Sequence, residues 1–416
     1  MWNEHRESTR GRDLDITGLS YGILETQGPQ QWPMPEGRTE GRARLYEDGV
    51  FPTADGLARF AAVPYEAVAE PCDERYPFAL NTGRLRDQWH GMSRTGTLGR
   101  LFGHVSEPGI DLNPADMQRL GLQAGDLVRV DSRRGAVILP AQPSDAIAPM
   151  QSFIAMHWGE EYLSGRDEAG VAVTGVNALT VPAFCPKSKQ PELKNAAVSI
   201  EPAPLAWRLL GVAWMSEDRA LAVREAIKPL MSRFTFASCV PFGREPHERG
   251  MVGVLFRAGA TEPAPDEVLR QLEELLGVDG PEVLRYHDRH QGQHRAMRLR
   301  RADDGLKLEA FLLAGDVSAE AWVRPLLQDE LVADAYGRAL LSPGATPPVA
   351  VQSKGRQVCT CFNVTEPAIV ETLGACAGSA DERLAQLQGQ LKCGTNCGSC
   401  VPELRKLIKL HPVAMA

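Results

Sequence analysis

Six of the nine cysteines in this 416-residue chain fall in its C-terminal segment, and five of them, Cys359, Cys361, Cys393, Cys397 and Cys400, crowd into two tight groups. No other feature constrains the fold as strongly. A disulfide scaffold would spread its cysteines, and a long chain in a reducing compartment has little use for one. Clustered thiols point to metal. Four thiolates suit an iron–sulfur cluster or zinc, and Cys-x-Cys is tighter than the ligand spacing of the usual zinc ribbon. Gly394 and Gly398 let backbone N–H groups turn toward cluster sulfurs, which helps set a reduction potential. Cys400 precedes a helix, whose positive end favours an anionic cluster.

The segment around these cysteines, residues 355–412, predicts a small helical domain. Thr365 is placed to cap one helix, with Pro367 in its first turn. Ser379 and Glu382 spell a capping box. The run VPELRKLIKL is amphipathic, apolar at Leu404, Leu407 and Ile408. A core this small is marginal without a staple, and a metal centre would supply one.

Upstream, the chain divides into three further parts. Residues 205–345 read as a mixed α/β domain: SEDRALAVREAIKPLM (Ser216 as cap) and PDEVLRQLEELLG are helices, GMVGVLFRAGA and LKLEAFLLAGD strands. A Pro/Gly-rich linker follows. Residues 74–202 are β-rich and barrel-like. YPFALNTGR and FIAMHWG are strand-like, and LVRVDSRRGAVILPAQ alternates around a turn as a hairpin. A short helix begins at Asn113–Pro114 and stops at Gly121. Residues 1–73 are rich in Gly, Pro and charge and read as the tail of a domain begun elsewhere.

The net charge of −8 carries no basic patch of the kind nucleic acid requires. The arginine run from Arg295 to Arg301, with His294 and Asp316, reads as solvated surface. No apolar run approaches the roughly 18–20 residues that span a bilayer, and the N-terminus is no signal peptide, so the expected location is cytoplasmic. Cys376 reads as a core residue within a helix, and Cys72, Cys185 and Cys239 are isolated.

In the barrel-like block, TGRLRDQWHGMSRTG (residues 82–96) gathers small residues, hydroxyls, Arg, Trp and His. Small residues allow close approach to a phosphate, and a guanidinium pairs with it strongly. Trp89 and His90 offer a flat and a polar edge for a heterocycle.

Two resemblances follow from these residues. VCTCFNVTEPAIV and KCGTNCGSCVPEL resemble the bacterioferritin-associated-ferredoxin-like 2Fe–2S domain, whose Cys-x-Cys and Cys-x-x-Cys map onto Cys359, Cys361, Cys397 and Cys400. Cys393 falls outside that pattern, although it is an alternative to Cys397. Zinc, or thiols without a ligand, remain the other readings. The 82–96 loop, with HWG at 157–159, GVNALT at 175–180 and QPELK at 190–194, resembles the dinucleotide-binding domain of molybdopterin oxidoreductases, above all assimilatory nitrate reductase catalytic subunits. That resemblance implies a double-psi β-barrel within a multidomain α+β chain. It implies molybdenum bis(molybdopterin guanine dinucleotide) as cofactor beside the 2Fe–2S cluster. The binding positions carried over are Thr82, Gly83, Arg84, Trp89, His90, Asn177 and Lys194, with His157, which also reads as a core histidine beside Trp158. No catalytic residue can be carried over.

In the family, a 4Fe–4S motif and the molybdenum-site domains come first. This chain is therefore expected to be a fragment or to pair with a separate chain, and to be inactive alone. The implied reaction reduces nitrate, with electrons from an NAD(P)H-dependent flavoprotein reductase, ferredoxin or flavodoxin. The alternatives are a non-catalytic Fe–S electron-transfer module and another molybdopterin enzyme such as a formate dehydrogenase.

Overall fold

The computed structural model describes residues 1–167, 169–244 and 249–412. It divides into two units, Met1–Ala67 and Val68–Ala416. The first holds two short helices, α1 (Trp2–Ser8) and α2 (Tyr21–Gln27), in otherwise irregular chain. Its organising group is Asp15, which accepts from the Gly11 and Thr17 N–H groups and from the Thr17 hydroxyl at 2.6–2.9 Å. Met34 is fully buried there, while Phe60, Val63 and Tyr65 are exposed.

The second unit opens with a closed six-stranded barrel. Its elements are β1 (Phe78–Gly83), β2 (Ile110–Leu112), helix α3 (Pro114–Leu120), β3 (Leu127–Asp131), β4 (Ala136–Pro143), β5 (Gln151–Ala155), β6 (Leu163–Ser164, outside the barrel) and β7 (Asn195–Pro202). The order around the barrel is β1-β5-β2-β4-β3-β7. β1–β5 and β2–β4 are parallel, and the β3–β4 hairpin pairs Leu127 with Pro140 through Asp131 with Ala136. Closure leaves no unpaired edge. The α3 signals act as expected: the Asn113 side chain accepts from Ala115 N–H at 2.9 Å, and Gly121 ends the helix in the left-handed region.

A seven-stranded antiparallel sheet follows, built from β8 (Trp207–Ser216), helix α4 (Glu217–Met231), β9 (Phe236–Phe242), β10 (Met251–Ala260), helix α5 (Asp266–Leu276), β11 (Leu284–Asp288), β12 (Gln293–Ala302) and β13 (Gly305–Gly315), with helix α6 (Glu320–Gln328) behind. The strand order is β11-β12-β13-β8-β10-β9-β6, so β6 ties the barrel segment to the sheet. β8 explains the packing. Leu209, Ala213 and Met215 join a core with α4 and α5. Leu210, Val212 and Trp214 point the other way, into a core shared with the barrel and α6. Both faces are covered, so this strand is apolar throughout and lacks the alternation that marks a half-exposed strand. At Gly211 a Cβ would lie 2.5 Å from Leu276, which is how closely α5 sits.

Five residues depart from the sequence expectation here. Arg295 is 1% exposed and donates to Asp316 at 2.7 Å. His294 is buried against Glu273 at 3.0 Å. Neither they nor Asp316, which also accepts from Gly344 N–H, form a solvated face. A buried guanidinium needs a counter-ion, and distant chain supplies it. Ser216 and Thr365 occupy cap positions but make no capping hydrogen bond through their side chains.

The last domain has a two-stranded ribbon, β14 (Gln357–Cys359) and β15 (Val364–Thr365), and helices α7 (Glu366–Gly374), α8 (Ala380–Leu391) and α9 (Val401–Leu410). The Ser379–Glu382 capping box is present in both directions. Leu404, Leu407 and Ile408 are the buried face of α9. Buried Arg383 donates to Leu373, Ile408 and His411 carbonyls, closing the C-terminal ends of α7 and α9. Cys376 is a core residue, as expected, but it lies just past the end of α7 rather than within a helix. No helix among the described residues is long and apolar enough to cross a membrane.

Candidate functional site

Two loops carry the candidate residues. The first begins where β1 ends. Gly83 pairs with Ala155 of β5, and its carbonyl accepts from Met156 N–H at 2.8 Å. A Cβ at Gly83 would press on the Phe153 ring at 2.8 Å, so a larger residue here would force that ring to shift. Thr82 is buried and donates its hydroxyl to Leu193 O at 2.8 Å, bringing the 190–194 segment alongside. The Val176 N–H donates to Trp158 O at 2.9 Å, which brings Asn177 to the same end of the barrel.

His157 fixes the loop. It is buried, and its Nε2 accepts the Leu85 N–H at 3.0 Å. Nδ1 lies 2.9 Å from the His90 carbonyl and must then carry the proton and donate. Burial lowers the His157 pKa and keeps the ring neutral, which this acceptor-and-donor role requires. Trp158 beside it is 1% exposed, so the core reading of His157 describes its position and the loop bonds describe its task.

The other carried-over side chains face outward. Arg84, Trp89, His90, Asn177 and Lys194 are exposed. Among the described residues, Arg84, His90, Asn177 and Lys194 make no ion pair or side-chain hydrogen bond within the chain. Trp89 has Arg94 stacked over its ring at 5.0 Å and His90 beside it at 5.8 Å. Uncommitted cations, an amide and a flat ring on a rigid frame are the donor set that a phosphate-linked heterocycle needs, so the residues fit a pterin dinucleotide.

A cavity of about 830 Å³ adjoins this loop at Leu85, Phe153 and Trp158 and extends to Asp111, Arg208, Arg257 and Glu107. None of the eight carried-over residues lines it. Its guanidiniums are largely spent within the protein: Glu107 accepts from Arg257 and from Arg324 at 2.5 Å. Burial alone would raise the Glu107 carboxyl, but the two guanidiniums win and hold it at about 2.

The second loop pair belongs to the cysteines. Cys359 ends β14, Cys361 follows in the turn, Cys397 lies in the loop after α8, and Cys400 is the N-cap of α9. Gly394 and Gly398 are left-handed, with φ of 81° and 73°. The sulfurs come in two pairs. Cys361 and Cys397 are 3.4 Å apart, and Cys359 and Cys400 lie close enough to influence each other's ionisation. Among the described residues, no three His, Cys, Asp or Glu side chains are grouped to hold a single metal ion. Two thiolates on each of two irons is the demand of a 2Fe–2S cluster, and two sulfur pairs fit that better than the four converging donors of zinc. The pairs differ in setting. Cys359 and Cys400 are buried, and burial pushes the Cys400 thiol up to about 12. Cys397 is exposed and held below the usual range by the Ser399 hydroxyl and N–H. Cys393 is fully buried, with its thiol 3.9 Å from Leu387 O and pushed up to about 11 by burial.

Sequence reasoning missed the residues that join these loops. Arg86 donates to Glu403 at 2.7 Å and to the Val358 carbonyl. Asp87 accepts from the Thr360 hydroxyl at 2.9 Å. Glu403 also meets His104 and Arg356. The partners stand some 270 to 320 positions apart, as their separations of 272, 273 and 317 residues show, and no local pattern links them.

Known families match the two segments that contain these loops. Residues 78–197 match the Molydopterin dinucleotide binding domain, and residues 357–409 match the BFD-like [2Fe-2S] binding domain. The chain thus carries a molybdopterin dinucleotide binding domain and a 2Fe–2S binding domain, which name its two cofactors. It is similar to a nitrate reductase of Klebsiella oxytoca, 31% identical over 415 residues, covering 97% of this chain and 42% of the relative. A nitrate reductase of Synechocystis sp. is 38% identical over 48% of this chain and 27% of its own length. The F420-dependent formate dehydrogenase subunit alpha of Methanocaldococcus jannaschii is 34% identical over 48% of this chain and 27% of its own. The chain spans less than half the length of each.

Proposed function

We propose that this chain is the dinucleotide-binding and electron-input portion of an assimilatory nitrate reductase working in the cytoplasm. The observation that carries the reading is the Klebsiella alignment, which runs through the barrel, the middle domain and the cluster domain in one order. When bound, the molybdenum cofactor supplies oxygen-atom removal from nitrate, with two electrons and two protons giving nitrite and water. The chain's own residues bind and orient. Arg84 and Lys194 pair with the dinucleotide phosphates, Trp89 and His90 flank a ring, and Asn177 hydrogen-bonds it. Thr82, Gly83 and His157 hold the frame. Cys359, Cys361, Cys397 and Cys400 ligate the cluster, which takes single electrons from a flavoprotein reductase, ferredoxin or flavodoxin. No residue in this chain is assigned to the nitrate chemistry, so the chain by itself turns over no nitrate.

A second reading is a formate dehydrogenase portion, supported by the 34% identity to the Methanocaldococcus subunit. The Klebsiella nitrate reductase alignment, which covers 97% of this chain and so includes the cluster domain, favours nitrate. The test is to purify the chain and measure metals, acid-labile sulfide and released guanine nucleotide. We expect about two irons per chain, a 2Fe–2S EPR signal on dithionite reduction, and guanine nucleotide. Zinc in place of iron would overturn the cluster assignment. Iron without any affinity for guanine nucleotide would favour an electron-transfer module.

A further inference from the structure

The cluster domain does not hang from a free tether. The linker before it is pinned: Arg244 donates to Gly355 O at 2.8 Å, and Asp329 accepts from Lys354 N–H at 2.8 Å and from the Ser353 hydroxyl at 3.1 Å. The domain then sits on the barrel loop. Arg86 and Asp87 lie two and three residues after Arg84, and they grip both sides of Cys359: Arg86 on the Val358 carbonyl, Asp87 on the Thr360 hydroxyl. Both side chains are largely covered, at 17% and 11% exposure. A formal Cβ on Gly103 would strike the Gln357 side chain, so the surfaces are in close contact there too.

We infer that Arg86 and Asp87 are positioning residues for electron transfer, docking the Cys359/Cys400 side of the cluster against the dinucleotide loop and leaving the Cys361/Cys397 edge toward solvent. This rests on the ligand reading given above. One electron enters from a one-electron donor, reducing the cluster, and leaves on the docked side to an oxidised metal centre of the whole enzyme, a 4Fe–4S cluster or the molybdenum, which would accept it and so restore the oxidised 2Fe–2S cluster. Two passes supply the two electrons that nitrate needs. Docking also brings two opposite charges to the cluster from more than 270 residues away. Reduction adds negative charge, so a nearby guanidinium raises the potential and a nearby carboxylate lowers it.

The test uses the full chain with its cluster, with Arg86→Gln, Asp87→Asn, Arg86→Lys and Thr360→Val. Visible absorption reports cluster content, a spectroelectrochemical titration gives the midpoint potential, and amide exchange is followed over residues 357–361. We expect Arg86→Gln to lower the potential and Asp87→Asn to raise it. Arg86→Lys and Thr360→Val should speed exchange while leaving the potential near that of the unaltered chain. If Arg86→Gln fails to hold a cluster, the sign of the Asp87→Asn shift and the Thr360→Val exchange decide. Unchanged potential and exchange at full cluster content would overturn the docking role, as would shifts of the same sign in both charge variants. An unaltered chain without a cluster would instead defeat the ligand reading.

Discussion

The barrel loop and the cysteine loops solve the problem of holding a cofactor in opposite ways. In the barrel the proposed contacting side chains are exposed and the frame behind them is buried: His157, Thr82 and the β1–β5 pairing are held by bonds within the protein. In the cluster domain the proposed contacting groups are part of the core, with Cys359 and Cys400 packed among Val358, Leu404 and Leu407. Ligand and fold are therefore separable in the first region and fused in the second. A large closed core stabilises the barrel loop, whereas three short helices and a two-stranded ribbon cannot bury enough to be secure alone.

Four substitutions should break or sharpen that contrast. Cys400→Ser should have the largest effect: loss of the 2Fe–2S absorption together with collapse of residues 357–410, read by amide exchange, while the barrel persists. His157→Ala should cost about 1–3 kcal/mol in denaturant unfolding, since it orphans the Leu85 N–H and the His90 carbonyl. The same group gives a pH signature. Its folded pKa is lowered, so its contribution is complete above the unfolded value of about 6.5 and is lost as pH falls below it. Exchange of residues 85–90 should accelerate over that range in the unaltered chain and not in the variant. Ser379→Ala should cost about 1 kcal/mol of α8 stability through the lost capping box, seen as earlier thermal release of the cluster. Arg84→Ala should be smallest in stability, within about 0.5 kcal/mol, yet should weaken binding of guanosine diphosphate measured by calorimetry. A large stability loss in Arg84→Ala would mean that the barrel loop, like the cysteine loops, needs its contacting residues in order to fold.

Acid gives one more contrast. Glu107, held at about 2, contributes stability that is complete above the ordinary carboxylate value and is lost as pH falls from about 4.3 toward 2. Glu107→Gln should shift the acid unfolding midpoint of the barrel and sheet upward, since Arg257 and Arg324 lose one of their two counter-ions and keep only Glu320.

Much of this was readable in order along the chain. The β3–β4 hairpin, α3 between Asn113 and Gly121, the capping box of α8 and the buried face of α9 all rest on contacts within a few residues, where spacing carries the information. β8 was not legible, because a strand covered on both faces shows no period. The arginine run was misread for a related reason: burial of Arg295 depends on Asp316 across the sheet, and composition records only its charge.

The sequence by itself therefore determined the chemistry available: four thiols at a cluster spacing, and a Gly-Arg-Trp-His loop after a strand. These are local, since ligand spacing and turn residues act over a few positions. Only the tertiary structure decided that the sulfurs fall into a buried pair and a more open one, that His157 holds the 85–90 loop, and that Arg86 and Asp87 bind the barrel loop to the cysteine loops. Those facts come from contacts between segments hundreds of residues apart, and chain folding alone brings such segments within hydrogen-bonding distance.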